Sequence, residues 1–285
     1  MDAALALVAA VAFGSSAVAI RIGQRRVPDV AVGSAATVGI ALALALAVAA
    51  IAAPEPPDLA ALWPFLLAGA AVPGATTFLF QWAVQEAGAA RPTVVLGTTP
   101  LVSVLLAAAF LDEQLDAIVV AGTLLVVAGA VVLARERGRP AHVRVLGLVL
   151  AGVCAALFAF RDNVVRAVAR DVDAPPLHAG AASLLGAAVA VAVYLLLRRH
   201  DGGSVRRALR PMLPAGLSLG VAYLALVAAY DAGPVTTVAP LVGTQPLWAV
   251  LVASVVLGRS EAVGARLVGA AGLVVAGGGL IGAAR

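Results

Sequence analysis

The stretch "VVLGTTPLVSV" at residues 94–104 sets a proline and two threonines inside an otherwise apolar run. A proline within a helix has no N–H for the carbonyl four residues back, so Pro100 releases the carbonyl of Leu96. In hydrocarbon an unmatched carbonyl is costly, and such backbone is tolerated only where it faces protein or a wet cavity. The motif returns as "VGTQPLW" at 242–248, where Pro246 releases the carbonyl of Val242. Two matching interruptions predict one broken helix in each half of a repeated chain.

The neighbouring sequence extends the match. "GTTPLVSVLLAAAFL" (97–111) aligns with "GTQPLWAVLVASVVL" (243–257) at an offset of 146. "VQEAG" (84–88) lies opposite "AYDAG" (229–233) at an offset of 145, and "VVAGAVVLAR" (126–135) resembles "VVAGGGLIGAAR" (274–285). The expected halves are 1–134 and 144–285, with a linker at 135–143.

Composition sets the class. The chain is 62% hydrophobic and 12% charged, against about 25% charged in a soluble domain. Ten apolar runs fall near 3–22, 30–53, 59–82, 92–111, 116–134, 145–166, 176–197, 212–230, 235–257 and 264–284. Each is long enough for a helix to cross about 30 Å of hydrocarbon. "IALALALAVAAIAA" (40–53) is continuously apolar, unlike the alternating strands of a barrel. Residues 2–20 have no positive leading segment and exceed the apolar core of a signal peptide, so they are expected to form the first membrane helix. Five spans per half is an odd number, so the second half enters from the opposite side. The expected fold is all-α and integral to the membrane: ten transmembrane helices as two inverted five-helix repeats. The connections are short, which places all expected function in the bilayer or at its edges.

Several function classes drop out. The net charge is +4, but all 19 basic residues are arginines lying between apolar runs, and 5% of residues are aromatic. That is no nucleic-acid surface. The single Cys154 excludes a disulfide framework within the chain and a cysteine metal site, and is expected to be a small buried core residue. Without a strand-borne GxGxxG, a Walker lysine or paired zinc ligands, no cofactor, no metal and no ATP-driven step are expected.

Four stretches carry a resemblance: "FGSSAVAIRIG" (13–23), "AARPTVVLGTTPLVSVLLAAAFLDEQL" (89–115), "LFAFRDNVVRAVAR" (157–170) and "YDAGPVTTVAPLVGTQPLWAVLVASVVLGR" (230–259). With the five-plus-five pattern they resemble the EamA-type members of the drug/metabolite transporter superfamily. Pro100 and Pro246 match that family's mid-helix proline, and Glu113 matches its closing acid. Asp112 replaces the preceding glycine, and in the second half Gly258 is kept while Arg259 stands in the acid's place. Phe13-Gly14 matches its aromatic-glycine pair. The resemblance implies transport of small metabolites, amino acids or drug-like compounds through a central cavity lined by the first, third and fourth helices of each half.

The candidate lining follows from the residues. Thr98, Thr99, Thr244 and Gln245 flank the breaks and either repair the released carbonyls or meet a solute. Thr77, Gln81 and Gln85 recur every four residues and form a polar stripe facing helices or water. Tyr223 and Trp248 could stack on a flat or cationic solute. Arg161 and Asp162 lie about 24 Å along the sixth span. Asp162 can pair with Arg166 one turn on, leaving Arg161 as a fork for a carboxylate or as an interface anchor. Ser15 and Ser16, within the first span, complete the candidate lining. Gly216 and Gly220 predict close helix contact, as does "GGG" at 277–279.

The expectation is a secondary transporter in the plasma membrane, a bacterial inner membrane, exporting small organic solutes; coupling to protons through Asp162 and uncoupled movement stay open. Its partners would be a small-molecule substrate and the lipid bilayer. The alternatives are a flippase or membrane enzyme acting on a lipid-linked headgroup, and a non-transporting scaffold. Odd-numbered loops hold fifteen arginines against three on the even side. The positive-inside rule puts the termini outside; the resemblance implies the reverse.

Overall fold

The computed structural model describes residues 2–55, 58–99, 101–102, 117–134, 143–169, 175–200, 202–232, 238, 241–258 and 264–283. These residues form helices and turns, with no strand among them. In chain order the helices are α1 (Asp2–Gly23), α2 (Val30–Ala52), α3 (Leu59–Gly69), a π-helical turn (Ala70–Ala75), α4 (Thr76–Ala87) and α5 (Ala90–Leu96). There follow α6 (Ala117–Ala134), α7 (Val145–Ala169), α8 (Pro176–Leu197), α9 (Gly202–Ala232), α10 (Gln245–Val256) and α11 (Ala265–Ala283). With α3, the π turn and α4 as one interrupted span, these are the ten expected spans.

Among the described residues, five helices are long and apolar enough to cross a membrane: Ala3–Gly23, Val30–Ala52, Leu59–Ala87, Pro176–Leu197 and Gly202–Ala229. The apolar helices Ala117–Leu133, Val145–Phe160, Gln245–Val256 and Ala265–Ile281 are shorter.

Helix contacts carry the signature of two related halves. In the first half α1 packs along α9; its counterpart α7 packs along α4. Likewise α2 lies against α9 while α8 lies against α3, and α1 meets α10 while α7 meets α5. The remaining main pairs, α2 with α8, α6 with α11 and α5 with α10, join an element to its own counterpart. Exchanging the halves maps this pairing onto itself. The expected linker lies outside the described residues except for Val143.

Small residues let these helices approach to backbone contact, the usual means of association where lipid is as apolar as leucine. A Cβ on Gly216 would stand 2.5 Å from Ile40 Cβ, and one on Gly220 3.2 Å from Ala41 Cα, so both glycines seat α9 on α2. Gly277 abuts the carbonyl oxygen of Gly122 across α6 and α11, whereas Gly279 faces open space. Gly69 abuts the backbone of Ser183, and Gly186 the carbonyl of Leu66, where α3 crosses α8. Cys154 is fully buried, as expected, with Sγ 3.7 Å from the Thr76 carbonyl oxygen.

Two boundaries differ from the sequence reading. The eighth span begins at Gly202, ten residues before the expected 212. Its added turns are amphipathic: Ala208 and Met212 are buried while Arg206, Arg207 and Arg210 are exposed. Pro211 and Pro214 lie inside this helix. The third span extends to Ala87 and is interrupted at Val72, whose φ of −139° and ψ of 111° leave the helical region. The following Pro73 accounts for this, because a proline ring disfavours helical backbone in the residue before it.

Candidate functional site

The fourth and ninth spans break at equivalent points. Gly97 and Thr98 form a turn before the helix resumes at Thr99; Gly243 and Thr244 do the same before Gln245. Thr98 Oγ1 donates to the Val95 carbonyl at 2.7 Å, and Thr244 Oγ1 to the Leu241 carbonyl at 2.6 Å. Both pairs are related by the 146-residue offset. Thr99 Oγ1 donates at 2.7 Å to the carbonyl of Leu96, the group that Pro100 leaves without its N–H. Thr99 thus meets the carbonyl released in the first half, whereas Thr244 bonds Leu241 rather than Val242; the threonine oxygens keep lone pairs able to accept. Pro100 itself lies outside the described residues. Pro246 is buried in the first turn of α10.

The two breaks meet. Gly97 lies against Pro246, and Gly14 of α1 reaches the backbone of Gln245 and Ala249. Beside this junction an open groove of about 550 Å³ runs between α1, α9 and α10. Its walls are mostly apolar, with Leu7, Val11 and Leu217 prominent, and its polar groups come from Ser15, Ser218 and Trp248. Neither serine hydroxyl donates to another described residue. Trp248 Nε1 donates to Thr244 Oγ1 at 3.2 Å, tying the groove wall to the break.

The structure therefore gathers Ser15 and Trp248 at the groove, with Thr244 bonded behind it. Ser218 joins them. Thr98, Thr99, Gln245 and Thr244 are half-buried around the breaks. Tyr223 is buried on the α1–α9 seam, edge-on to Phe13 with ring centroids 5.7 Å apart. Ser16 is buried and donates to the Ala215 carbonyl at 3.3 Å. Arg161 and Asp162 ride on the last turns of α7, and their side chains lie outside the described residues.

The stripe on α4 turns toward helices. Gln81 is fully buried; its Nε2 donates to Thr37 Oγ1 at 3.0 Å, and its main-chain carbonyl accepts from Gln24 Nε2 at 2.6 Å. Thr37 Oγ1 in turn donates to the Gly33 carbonyl at 2.8 Å. Gln85 Nε2 donates to the Pro28 carbonyl at 2.8 Å, and Thr77 is 8% exposed. Gln24 and Thr37 went unweighed in the sequence; Thr37 is a lone polar residue in an apolar run, the usual signal for such a seam, whereas Gln24 stands beside arginines past the end of the first run.

Charges concentrate at one end. Arg21 Nη1 donates to the Gln85 carbonyl at 2.9 Å and to the Val84 carbonyl at 3.3 Å, closing the C-terminus of α4. Glu86 pairs with Arg144 at 3.1 Å, joining the halves. Asp29 caps α2 through Oδ1 and meets His200 Nε2 through Oδ2 at 3.1 Å. Arg91, counted above among loop arginines, is fully buried in the first turn of α5. Removing it from the fifteen leaves the bias in place.

Comparison with known proteins accords with this geometry. No curated protein matches. A solved crystal structure aligns over 98% of this chain and 96% of its own with a TM-score of 0.66 at 23% identity, which shows the shared fold alone. The EamA-like transporter family matches residues 2–135 and again 145–283, one match per half. The chain belongs to the EamA-like transporter family and is a multi-pass membrane protein of small-solute transport.

Proposed function

We propose that the protein exports small organic solutes with an apolar body and few polar groups: amino acids, related metabolites or drug-like compounds. The groove supports this reading, since apolar walls carrying a few directional polar groups are the usual chemistry of small-molecule sites. The observation that carries it is the link from groove to break. A solute displacing Trp248 would act on Thr244, and through it on the turn at which α10 departs from Leu241. Rocking of the two repeats, 1–134 and 144–285, about the paired breaks would then expose the groove alternately to each side. The plasma membrane is the proposed location.

The test is efflux from proteoliposomes loaded with a panel of apolar amino acids and amphipathic drugs. Joint Ser15→Ala and Ser218→Ala substitution should raise the KM of transported solutes several-fold. Unchanged kinetics for every solute would remove the groove from the pathway. The open side of the groove, edged by exposed Leu7 and Leu217, favours amphipathic solutes within the panel.

A further inference from the structure

A second cavity, of about 310 Å³, lies between the α1–α2 turn and the start of α9, away from the groove. Arg26 and Arg207 stand at it, both exposed, and Arg207 Nη2 donates to Ser204 Oγ at 3.3 Å. Among the described residues the lining includes one carboxylate, Asp29, which is satisfied internally. Its Oδ1 accepts from the N–H groups of Ala31 and Val32 at 2.9 and 3.1 Å, and its Oδ2 meets His200. Val27, Val32 and Ala208, all buried, add apolar wall.

We infer that this cavity holds the phosphate of an anionic lipid headgroup. The planar arginine fork matches phosphate oxygens two at a time. The cavity sits where α1 ends and α2 and α9 begin, at the ends of membrane-crossing helices, which is the depth of lipid phosphates. Basic pockets between such helices are suited to anionic headgroups. The apolar wall beneath the arginines distinguishes the lipid from a free ion. A glycerol backbone and the first acyl carbons have a surface to cover, whereas hydrated inorganic phosphate has none.

The experiment uses the full chain in detergent, titrated with phosphatidylglycerol, phosphatidylcholine or inorganic phosphate, with lipid retention read by native mass spectrometry. Wild type should retain phosphatidylglycerol over phosphatidylcholine, and inorganic phosphate should not displace it. Joint Arg26→Gln and Arg207→Gln substitution should lower retention roughly twenty-fold. The neighbouring pair Arg25→Gln and Arg206→Gln, outside the cavity and so screened from a phosphate held there, should change it less than about three-fold. Equal losses in the two double variants would reduce the effect to diffuse surface attraction and overturn the site. Displacement by inorganic phosphate would overturn the lipid assignment, and equal retention of both lipids would overturn the anionic one. Should the glutamine pair misfold, Arg26→Lys with Arg207→Lys keeps the charge and loses the fork; undiminished retention there also overturns the proposal.

Discussion

Gly97 and Pro246, each at the interruption of its own repeat, touch: a Cβ built on Gly97 would lie 2.8 Å from the proline's Cγ. The same Cβ would stand 2.7 Å from Val274 Cγ1. Neither a pyrrolidine ring nor a β-branched valine can swing aside easily, so Gly97→Ala must push α5 away from α10. Overpacking of this kind costs about 1–3 kcal/mol. Gly272, with nothing within 4 Å of its would-be Cβ, is the control, and its alanine variant should be neutral or slightly stabilising. Thermal denaturation in detergent compares them. Equal midpoints would show that the contact between the breaks has no structural weight.

What the sequence revealed and what it hid divide along physical lines. Apolar runs, the 146-residue offset and the paired prolines are properties of single segments, so spans, repeat and breaks were readable from them. The start of α9 was hidden because "SVRRALRP" carries its helical pattern among arginines, which read as a loop until Ala208 and Met212 are seen to be buried. The break at Val72 was hidden because Pro73 has no counterpart in the other half to draw attention to it. The Gln24–Gln81–Thr37 seam spans 44 and 57 residues of sequence, and no local pattern announces which of several polar residues will meet. Burial of Arg91 is likewise a fact of tertiary packing. The groove lay between these cases: Trp248 was visible as an aromatic residue near a break and Ser15 as a polar residue in the first span, while their convergence with Ser218 needed α1, α9 and α10 in place.

The buried seam yields a stability prediction distinct from any transport effect. Hydrogen bonds between helices in membranes average about 0.6 kcal/mol and reach about 1.7. Gln81→Ala removes the donor to Thr37 and leaves space, so it should lower stability by about 1–2 kcal/mol. Gln81→Met fills that space and also removes Oε1, a buried acceptor with no partner among the described residues. Its midpoint should fall between alanine and wild type. A methionine variant as unstable as the alanine one would assign the whole effect to the hydrogen bond. In either variant KM should hold within about two-fold.

Asp29 has two roles that substitution can separate. Loss of an N-cap costs about 0.5–2 kcal/mol, whereas an exposed ion pair contributes about 0–1. Asp29→Ala removes both the cap and the His200 contact. Asp29→Asn keeps an oxygen for the N–H groups of Ala31 and Val32. His200→Ala removes the pair alone. Midpoints should therefore fall in the order wild type, His200→Ala close to Asp29→Asn, then Asp29→Ala. An asparagine variant as unstable as alanine would make the pair, rather than the cap, the main term.

Trp248 separates solute binding from the mechanics of the break. Its ring forms groove wall, and its Nε1 donates to Thr244 Oγ1. Trp248→Phe keeps an aromatic wall and loses the bond; Trp248→Ala loses both. An aromatic contact contributes about 0.5–1.5 kcal/mol beyond area burial, so the alanine variant should raise KM by about 2–12-fold for solutes that stack. The phenylalanine variant should leave KM within about two-fold and change mainly the turnover rate, because Thr244 still holds the Leu241 carbonyl but is no longer tied to the wall. Efflux at several solute concentrations from proteoliposomes resolves the two parameters. A phenylalanine variant matching wild type in both would show that the wall and the break move independently, and that solute entry into the groove is not transmitted through this bond.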